Sequence, residues 1–142
     1  MEAQDIQGCG VFMLNPRGDE RGSLIALEGG KDVPFEIKRV YYLFGTIARA
    51  HRGLHAHRHL EQFAVCVSGS CVMKLNDGHS ECEVALDDPR KGLLIGRRIW
   101  REMHSFSPDA VLLVLASALY DERDYIRDYG EFLAMVSADP VR

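Results

Sequence analysis

The chain has 142 residues, of which 46% are hydrophobic and 27% charged, and its formal net charge is −4. These values are typical of one globular domain that is long enough to bury a core. The mild acidity disfavours a nucleic-acid-binding surface, which is usually basic. No apolar stretch approaches the roughly 20 residues that cross a bilayer, and no signal-like segment opens the chain. We therefore expect a single cytoplasmic domain over 1–142, with no nucleic-acid or membrane partner.

Strand-like segments dominate the pattern of apolar residues. The predicted strands cover 11–14, 23–27, 36–44, 55–57, 62–67, 70–75, 79–86, 93–95, 99–103 and 110–116. Asn76-Asp77-Gly78 is the strongest hairpin turn, because these residue types tolerate left-handed backbone angles. Many short strands at close spacing predict a small antiparallel barrel or a double-sheet jelly roll.

Only the end of the chain has helical periodicity. Asp121 is a candidate helix cap, and Ile126, Tyr129, Leu133 and Val136 recur at helical spacing after it. The expected fold is therefore all-β with one short C-terminal helix.

Four cysteines are present, and none of them forms a C-x-x-C pair. A structural zinc site is therefore not expected. Cys66 and Cys71 could face each other across the Ser68-Gly69 turn, but in a cytosolic chain we expect buried free thiols.

His55-Ala56-His57 is the most informative motif. Two imidazoles two residues apart share a face only where the backbone is extended, since side chains alternate along a strand. The motif therefore predicts a histidine pair on a sheet wall, suited to metal ligation or to proton transfer.

Metal ligation by this motif requires a third imidazole from a later strand. His55, His57 and Glu61 approach the pattern of metal-binding jelly rolls, but Arg101 falls where that third imidazole should lie. A guanidinium cannot ligate a metal. His104 lies three residues further on, an offset that turns it to the other face of a regular strand. The pattern therefore favours no metal and no other cofactor.

Without a metal, the histidine pair suits acid–base chemistry. Imidazole has an ordinary pKa of about 6.5, so one ring can accept a proton while the other donates one. Isomerisation of a keto sugar through an enediol needs two such transfers on adjacent carbons. The competing interpretation is a pair of core histidines satisfied by hydrogen bonds.

Other candidate residues suit a nucleotide-linked substrate. Arg21 and Arg52 are candidates for a diphosphate clamp, because the planar guanidinium binds phosphate in bidentate fashion, although each could be an ordinary surface residue. Tyr42 is either core or a hydroxyl in the cavity. Trp100 is either packing or a stacking surface.

Several motifs together resemble one known family. They are Asp-Glu-Arg-Gly-Ser-Leu (19–24), Ile-Lys-Arg-Val-Tyr-Tyr (37–42), Arg-Gly-Leu-His-Ala-His (52–57), Leu-Glu-Gln (60–62), Val-Ser-Gly-Ser-Cys (67–71), Gly-Leu-Leu-Ile-Gly (92–96), Trp-Arg-Glu-Met-His (100–104), Leu-Ala-Ser (115–117) and Tyr-Asp-Glu-Arg-Asp-Tyr-Ile-Arg-Asp-Tyr (120–129). In this order they are similar to the WxcM-like cupin group of nucleotide-sugar 3,4-ketoisomerases. The resemblance extends over roughly residues 10 to 133.

The resemblance implies a cupin, or RmlC-like, jelly roll and a metal-independent isomerase. Such an enzyme moves the carbonyl of dTDP-4-keto-6-deoxy-D-glucose from C4 to C3 through an enediol. It serves the biosynthesis of 3-amino-3,6-dideoxy sugars for surface glycans such as O-antigens or S-layers. Family members are homodimers that exchange strands between subunits.

Residue by residue, the resemblance assigns His55 and His57 to acid–base catalysis. The expected substrate contacts are Arg21, Tyr42, Arg52, Gln62, Trp100 and Arg101. At Arg101 the chain departs from relatives that carry histidine there. Three alternatives stay open: a metal-dependent cupin enzyme, a nucleotide-sugar epimerase, and a sugar-nucleotide-binding cupin without catalysis.

Overall fold

The computed structural model describes residues 1–138, which form twelve strands and one α-helix. The strands are β1 (Gly10–Met13), β2 (Arg17–Asp19), β3 (Gly22–Leu24), β4 (Arg39–Leu43), β5 (Arg52–His57), β6 (Gln62–Ser68), β7 (Cys71–Asn76), β8 (Glu81–Leu86), β9 (Lys91–Ile95), β10 (Trp100–His104), β11 (Val111–Ala116) and β12 (Tyr125–Ile126). The helix α1 spans Tyr129–Ala138, and short 3-10 turns lie at Ala3–Asp5 and Glu122–Asp124. None of the helices in this part of the chain has the length and apolar character needed to cross a membrane.

Two five-stranded antiparallel sheets form the body of the molecule. One has the order β1-β9-β6-β11-β4, and the other has the order β12-β5-β10-β7-β8. Consecutive strands β6 and β7 lie in different sheets, so the chain passes from one layer to the other at their connection. This arrangement confirms the predicted all-β jelly roll with a short C-terminal helix.

The core lies between the two sheets and follows the alternation of each strand. In β8, for example, Cys82, Val84 and Leu86 point inward while the residues between them are exposed. β6 is buried on both faces, because Val33 and Phe35 from the long connection before β4 cover its outer side. The four cysteines are free thiols, as predicted.

The C-terminal segment differs from the prediction. The helix begins at Tyr129 rather than near Asp121, which instead caps the short 3-10 turn by accepting a hydrogen bond from the Arg123 N–H. The reason is a tertiary pairing that the local pattern does not reveal: Tyr125 and Ile126 form β12 and pair with the end of β5. That pairing outweighs the helical propensity of the segment.

The hairpin formed by β2 and β3 is isolated from both sheets. Its six residues are all exposed, and it pairs only with itself. The predicted strand over 23–27 therefore ends early, at Leu24.

Candidate functional site

His55 and His57 lie on β5, with their rings in contact. The ring centroids are 4.8 Å apart and the ring planes are nearly perpendicular. The ring of Tyr125, carried by β12, packs against both, at 5.0 Å from His55 and 4.3 Å from His57. The extended backbone that the motif predicted is present, and it brings the two imidazoles together.

A bulge between β5 and β10 shapes the backbone before the pair. Gly53 has φ +83°, and a Cβ there would lie 3.0 Å from the carbonyl oxygen of Arg101. Leu54 also has a positive φ of 58°. The bend lets the Gly53 carbonyl oxygen lie 3.0 Å from Nδ1 of His55, which sets the orientation of that ring.

The two histidines line different cavities. His55 faces a mouth of about 300 Å³ that is also lined by Arg39, Tyr41, Arg52, Tyr125 and Arg127. His57 is only 1% exposed and faces a second cavity of about 280 Å³. Tyr125 borders both cavities and separates them.

Arg101 lies under the pair with its side chain fully buried. Its guanidinium donates two hydrogen bonds to the carbonyl oxygen of Ile99, at 3.2 and 3.1 Å, and one to Oε1 of Gln62. Gln62 in turn donates to the hydroxyl of Tyr41 at 3.0 Å. Within residues 1–138 no carboxylate forms an ion pair with Arg101, so no ion pair there neutralises its positive charge.

Burial and this charge set the protonation of the site. Burial, and then the charge of Arg101, lowers the pKa of His55 to about 4. The same causes in the same order, followed by His55 itself, lower the pKa of His57 to about 2. Both imidazoles are therefore neutral at pH 7. Burial raises the pKa of Tyr41, which keeps its hydroxyl a donor.

Asp124 connects the end of β5 to the segment before β12. Its carboxylate accepts hydrogen bonds from the backbone N–H groups of His59, at 2.8 Å, and Leu60, at 3.2 Å. Oδ2 also lies 3.3 Å from Nδ1 of His57, but off the direction of a hydrogen bond. Among the described residues, no group completes a hydrogen bond with either ring nitrogen of His57.

The structure brings some of the predicted binding residues to the cavity. Arg52 lies at the mouth, and Gln62 and Arg101 line the interior beneath it. Trp100 instead faces outward, where it packs against Tyr129 and Phe132 of the helix region.

Tyr42 and Arg21 lie away from the cavity of their own chain. Tyr42 is on the outer face of β4 and is 60% exposed, while its neighbour Tyr41 lines the cavity. Arg21 is on the isolated hairpin, where it pairs with Asp19 and its side chain is 85% exposed.

Sequence reasoning missed four residues at the site: Arg39, Tyr41, Tyr125 and Arg127. The signal for the first two was the alternation of β4, in which Arg39 and Tyr41 share a face opposite Val40 and Tyr42. An arginine and a tyrosine on the inner face of a strand indicate a polar cavity rather than a core.

The residues of the alternative metal site do not assemble. Glu61 lines a crevice with Arg58 and Arg97 rather than the cavity of His55. Across residues 1–138, no three histidine, cysteine or acidic side chains are grouped as metal ligands would be.

The chain is similar to known proteins over most of its length. The model of the family described as WxcM-like, C-terminal (FdtA) matches residues 7–137. The TDP-4-oxo-6-deoxy-alpha-D-glucose-3,4-oxoisomerase of Aneurinibacillus thermoaerophilus is 54% identical over 114 residues, which cover 80% of this chain and 82% of that protein.

Solved structures agree with this similarity. The WlaRB TDP-quinovose 3,4-ketoisomerase of Campylobacter jejuni is 53% identical with a TM-score of 0.88, over 91% of this chain and 99% of that chain. A variant of the 3,4-ketoisomerase QdtA from Thermoanaerobacterium thermosaccharolyticum, in complex with TDP-4-keto-6-deoxyglucose, is 37% identical with a TM-score of 0.92. That match covers 96% of this chain and 99% of the other.

Proposed function

Because the chain belongs to the WxcM-like, C-terminal family, we propose that it is a sugar 3,4-ketoisomerase acting on dTDP-4-keto-6-deoxy-D-glucose. The carbonyl moves from C4 to C3 of the hexose through an enediol. The observation that carries the proposal is a neutral histidine, His55, in a cavity beside the buried charge of Arg101, which has no carboxylate partner among residues 1–138. Proton abstraction next to a ketone needs both a base and a stabilised oxyanion.

His55 is the base that acts on carbon, since it lines the mouth cavity and His57 does not. Its pKa of about 4 keeps it unprotonated at neutral pH. It takes the proton from C3, and the electrons of the C–H bond form the C3–C4 double bond as O4 becomes an enediolate oxygen.

The buried polar chain of Arg101, Gln62 and Tyr41 stabilises that oxygen. A guanidinium in a dry cavity acts on a developing anion far more strongly than one in water. Tyr41 can supply a hydrogen bond at the cavity wall, because its hydroxyl is held by Gln62. The proton of O3 then passes to O4, the C3 carbonyl forms, and the electrons of the double bond take up a proton at C4 from the acid–base pair, which completes the move of the carbonyl.

His57 acts as the partner of His55. It packs edge-to-face against the His55 ring and is itself almost fully buried. It holds the base in place and exchanges a proton with it, so that the pair carries out the acid–base work.

Three arginines at the mouth suit the diphosphate of the nucleotide. Arg39, Arg52 and Arg127 surround the opening of the cavity. Arg127 is held there by two hydrogen bonds to Glu122, at 3.0 and 2.9 Å, and it stacks on the Tyr125 ring at 4.3 Å. Planar guanidinium groups recognise phosphate oxygens in pairs.

The active assembly in this proposal is a strand-exchanged homodimer. Val40, Tyr42 and Phe44 form an exposed apolar row, 54%, 60% and 72% exposed, on the edge strand β4. Such a row on an open edge favours pairing with a second chain. In the dimer, the isolated hairpin reaches the partner, where Arg21 contacts the substrate. Tyr42→Glu is expected to shift the sedimentation coefficient to that of a monomer.

The proposal places the enzyme in the cytoplasm, where the 3-keto product would pass to an aminotransferase. The resulting 3-amino-3,6-dideoxy sugar would enter surface glycans such as O-antigens or S-layers.

A comparison of His55→Asn with His79→Asn tests the proposed function. His79 is exposed in a hairpin turn, so its substitution controls for the loss of an imidazole. We expect His55→Asn to lose turnover by at least about 1,000-fold, with TDP binding by calorimetry unchanged. His79→Asn should match the wild type. If His55→Asn retains turnover, His55 is not the catalytic base.

A further inference from the structure

The second cavity lies beside the mouth cavity, with Arg39 and Tyr125 bordering both, and it reaches the catalytic pair through His57. It is lined by His57, Asp124, Arg39, Ser117 and Ala118, among others, and it opens to solvent beside exposed Leu119 and Asp121. Its volume of about 280 Å³ is large enough for several waters, each of which occupies about 30 Å³ in the liquid.

His57 is the only histidine of the pair that borders this cavity, and neither of its ring nitrogens is hydrogen-bonded by another described residue. Buried polar groups normally find a partner, so these nitrogens are suited to water. Asp124 lies 3.3 Å from Nδ1 and faces the same space. A carboxylate at this distance can receive the Nδ1 proton after a small rotation of the ring.

Once substrate is bound, the mouth cavity offers no comparable route by which a proton on His55 can exchange with solvent. A nucleotide sugar that places C3 against His55 fills the mouth cavity and covers that ring. Tyr125 packs on both histidines and closes the direct path between the two cavities. The proton on His55 then reaches solvent through its neighbour His57.

We propose that the second cavity is a proton-exchange channel, through which His57 and Asp124 connect the catalytic base His55 to solvent during turnover. This proposal rests on the proposed ketoisomerase function. Both ring nitrogens of His57 lack a hydrogen bond among the described residues, so a rotation of the imidazoles first brings a His57 nitrogen to His55. Neutral His57 then accepts the proton from His55 on that nitrogen as it releases the proton of its other nitrogen to Asp124 or to water. Each nitrogen that gains a proton is matched by one that loses a proton, so no charge is stored on His57. Its low pKa agrees with this concerted transfer.

The test is a single turnover in D₂O, followed by mass spectrometry and proton NMR of the product. Ala118→Leu narrows the channel without touching His55 or the mouth. Ala85→Leu makes the same change on the exposed face of β8 and is the matched control. In the wild type and in Ala85→Leu, we expect deuterium at C4 in most product molecules. In Ala118→Leu, the ketone should still reach C3, but the deuterium content at C4 should fall at least about threefold, with the C3 proton retained.

Two results would contradict the proposal that the second cavity is a proton-exchange channel. One is equal deuterium content in Ala118→Leu and the wild type. The other is wild-type product that keeps the original C3 proton at C4. If the ketone stays at C4 in the wild type as well as in the variants, the proposed ketoisomerase function is wrong. That result differs from both results that contradict the channel.

Asp124→Asn provides a second variant that does not depend on how well Ala118→Leu folds. Asparagine keeps the shape and the acceptor oxygen for one of the two backbone N–H groups, that of His59 or that of Leu60, but it cannot take up a proton in the same way. We expect deuterium at C4 to fall in this variant as well. Unchanged deuterium content with migration of the ketone would exclude Asp124 from the channel.

Discussion

Replacing Arg101 with methionine removes a buried positive charge and leaves a side chain of similar length. The guanidinium makes three hydrogen bonds, two to the Ile99 carbonyl oxygen and one to Gln62, and it has no carboxylate partner within residues 1–138. The variant therefore separates two contributions of this residue, one to the stability of the fold and one to catalysis.

The effect on stability is close to a balance. Arg101→Met removes three hydrogen bonds from a charged group, worth about 1.5–3 kcal/mol each, and leaves the Ile99 carbonyl oxygen and Gln62 Oε1 without that donor, but it also removes the several kcal/mol that burying the charge costs. We expect the free energy of unfolding of Arg101→Met to lie within about 2 kcal/mol of the wild type. For a chain of this length, that corresponds to a Tm within about 6 °C of the wild type.

The effect of the substitution on catalysis is a loss. Loss of a group that stabilises an oxyanion usually lowers kcat by about 100- to 1,000-fold. The pKa of His55 should also rise from about 4 toward 6.5, but only in part, because burial is the larger cause of its depression and Arg101 the second. The acid limb of kcat/KM should therefore move upward by about one pH unit.

Three measurements on Arg101→Met check this reasoning: thermal unfolding, the rate of carbonyl migration by NMR, and the pH profile of kcat/KM. A slower enzyme with a shifted acid limb and a Tm within about 6 °C of the wild type is the expected result. A strongly destabilised variant would mean that the guanidinium is a structural element. A variant with wild-type turnover would refute its role in stabilising the enediolate.

Three further predictions follow from the packing and the charges. His57→Asn should lower turnover at least about 100-fold with TDP binding retained, because His55 loses its acid–base partner. A turnover equal to that of the wild type, measured by NMR, would exclude His57 as that partner. The unfolded chain binds protons at His55 and His57 more readily than the folded chain does, since both pKa values lie below 6.5. The free energy of unfolding should therefore fall as the pH drops from 6.5 toward 4, by at most about 1.4 kcal/mol per pH unit for each ring. Urea titrations in which the free energy of unfolding rises over this pH range would contradict the prediction. Gly92→Ala should cost about 2–3 kcal/mol in urea unfolding, because its Cβ would meet the buried Phe63 ring at 2.3 Å. Gly130→Ala in the helix has no contact closer than 3.7 Å and is the neutral control.

The fold was accessible from the sequence because each strand carries its own signal. Alternation in β8 and the turn at Asn76-Asp77-Gly78 predict a hairpin without any knowledge of the rest of the chain. His55 and His57 were accessible for the same reason, since two residues of one strand must share a face. Arg101 was found through its position relative to the histidine pair in the cupin pattern.

The rest of the site depends on contacts between distant segments. Tyr125 reaches the histidines only through a two-residue strand, and its pairing with His57 leaves no periodicity to detect. Asp124 approaches His57 through the same pairing. Tyr41 rather than Tyr42 lines the cavity because Val40 and Tyr42 face outward on the edge strand β4. An interpretation of Val40 as a core residue expects the opposite orientation.

Carbon-13 NMR with substrate labelled at C4 tests the central claim most directly. We predict that the labelled carbonyl resonance of dTDP-4-keto-6-deoxy-D-glucose converts to that of a carbon bearing a hydroxyl group, as the ketone moves to C3. A label that stays a carbonyl, while deuterium from the solvent enters C3 and C5, would contradict the ketoisomerase and identify an epimerase.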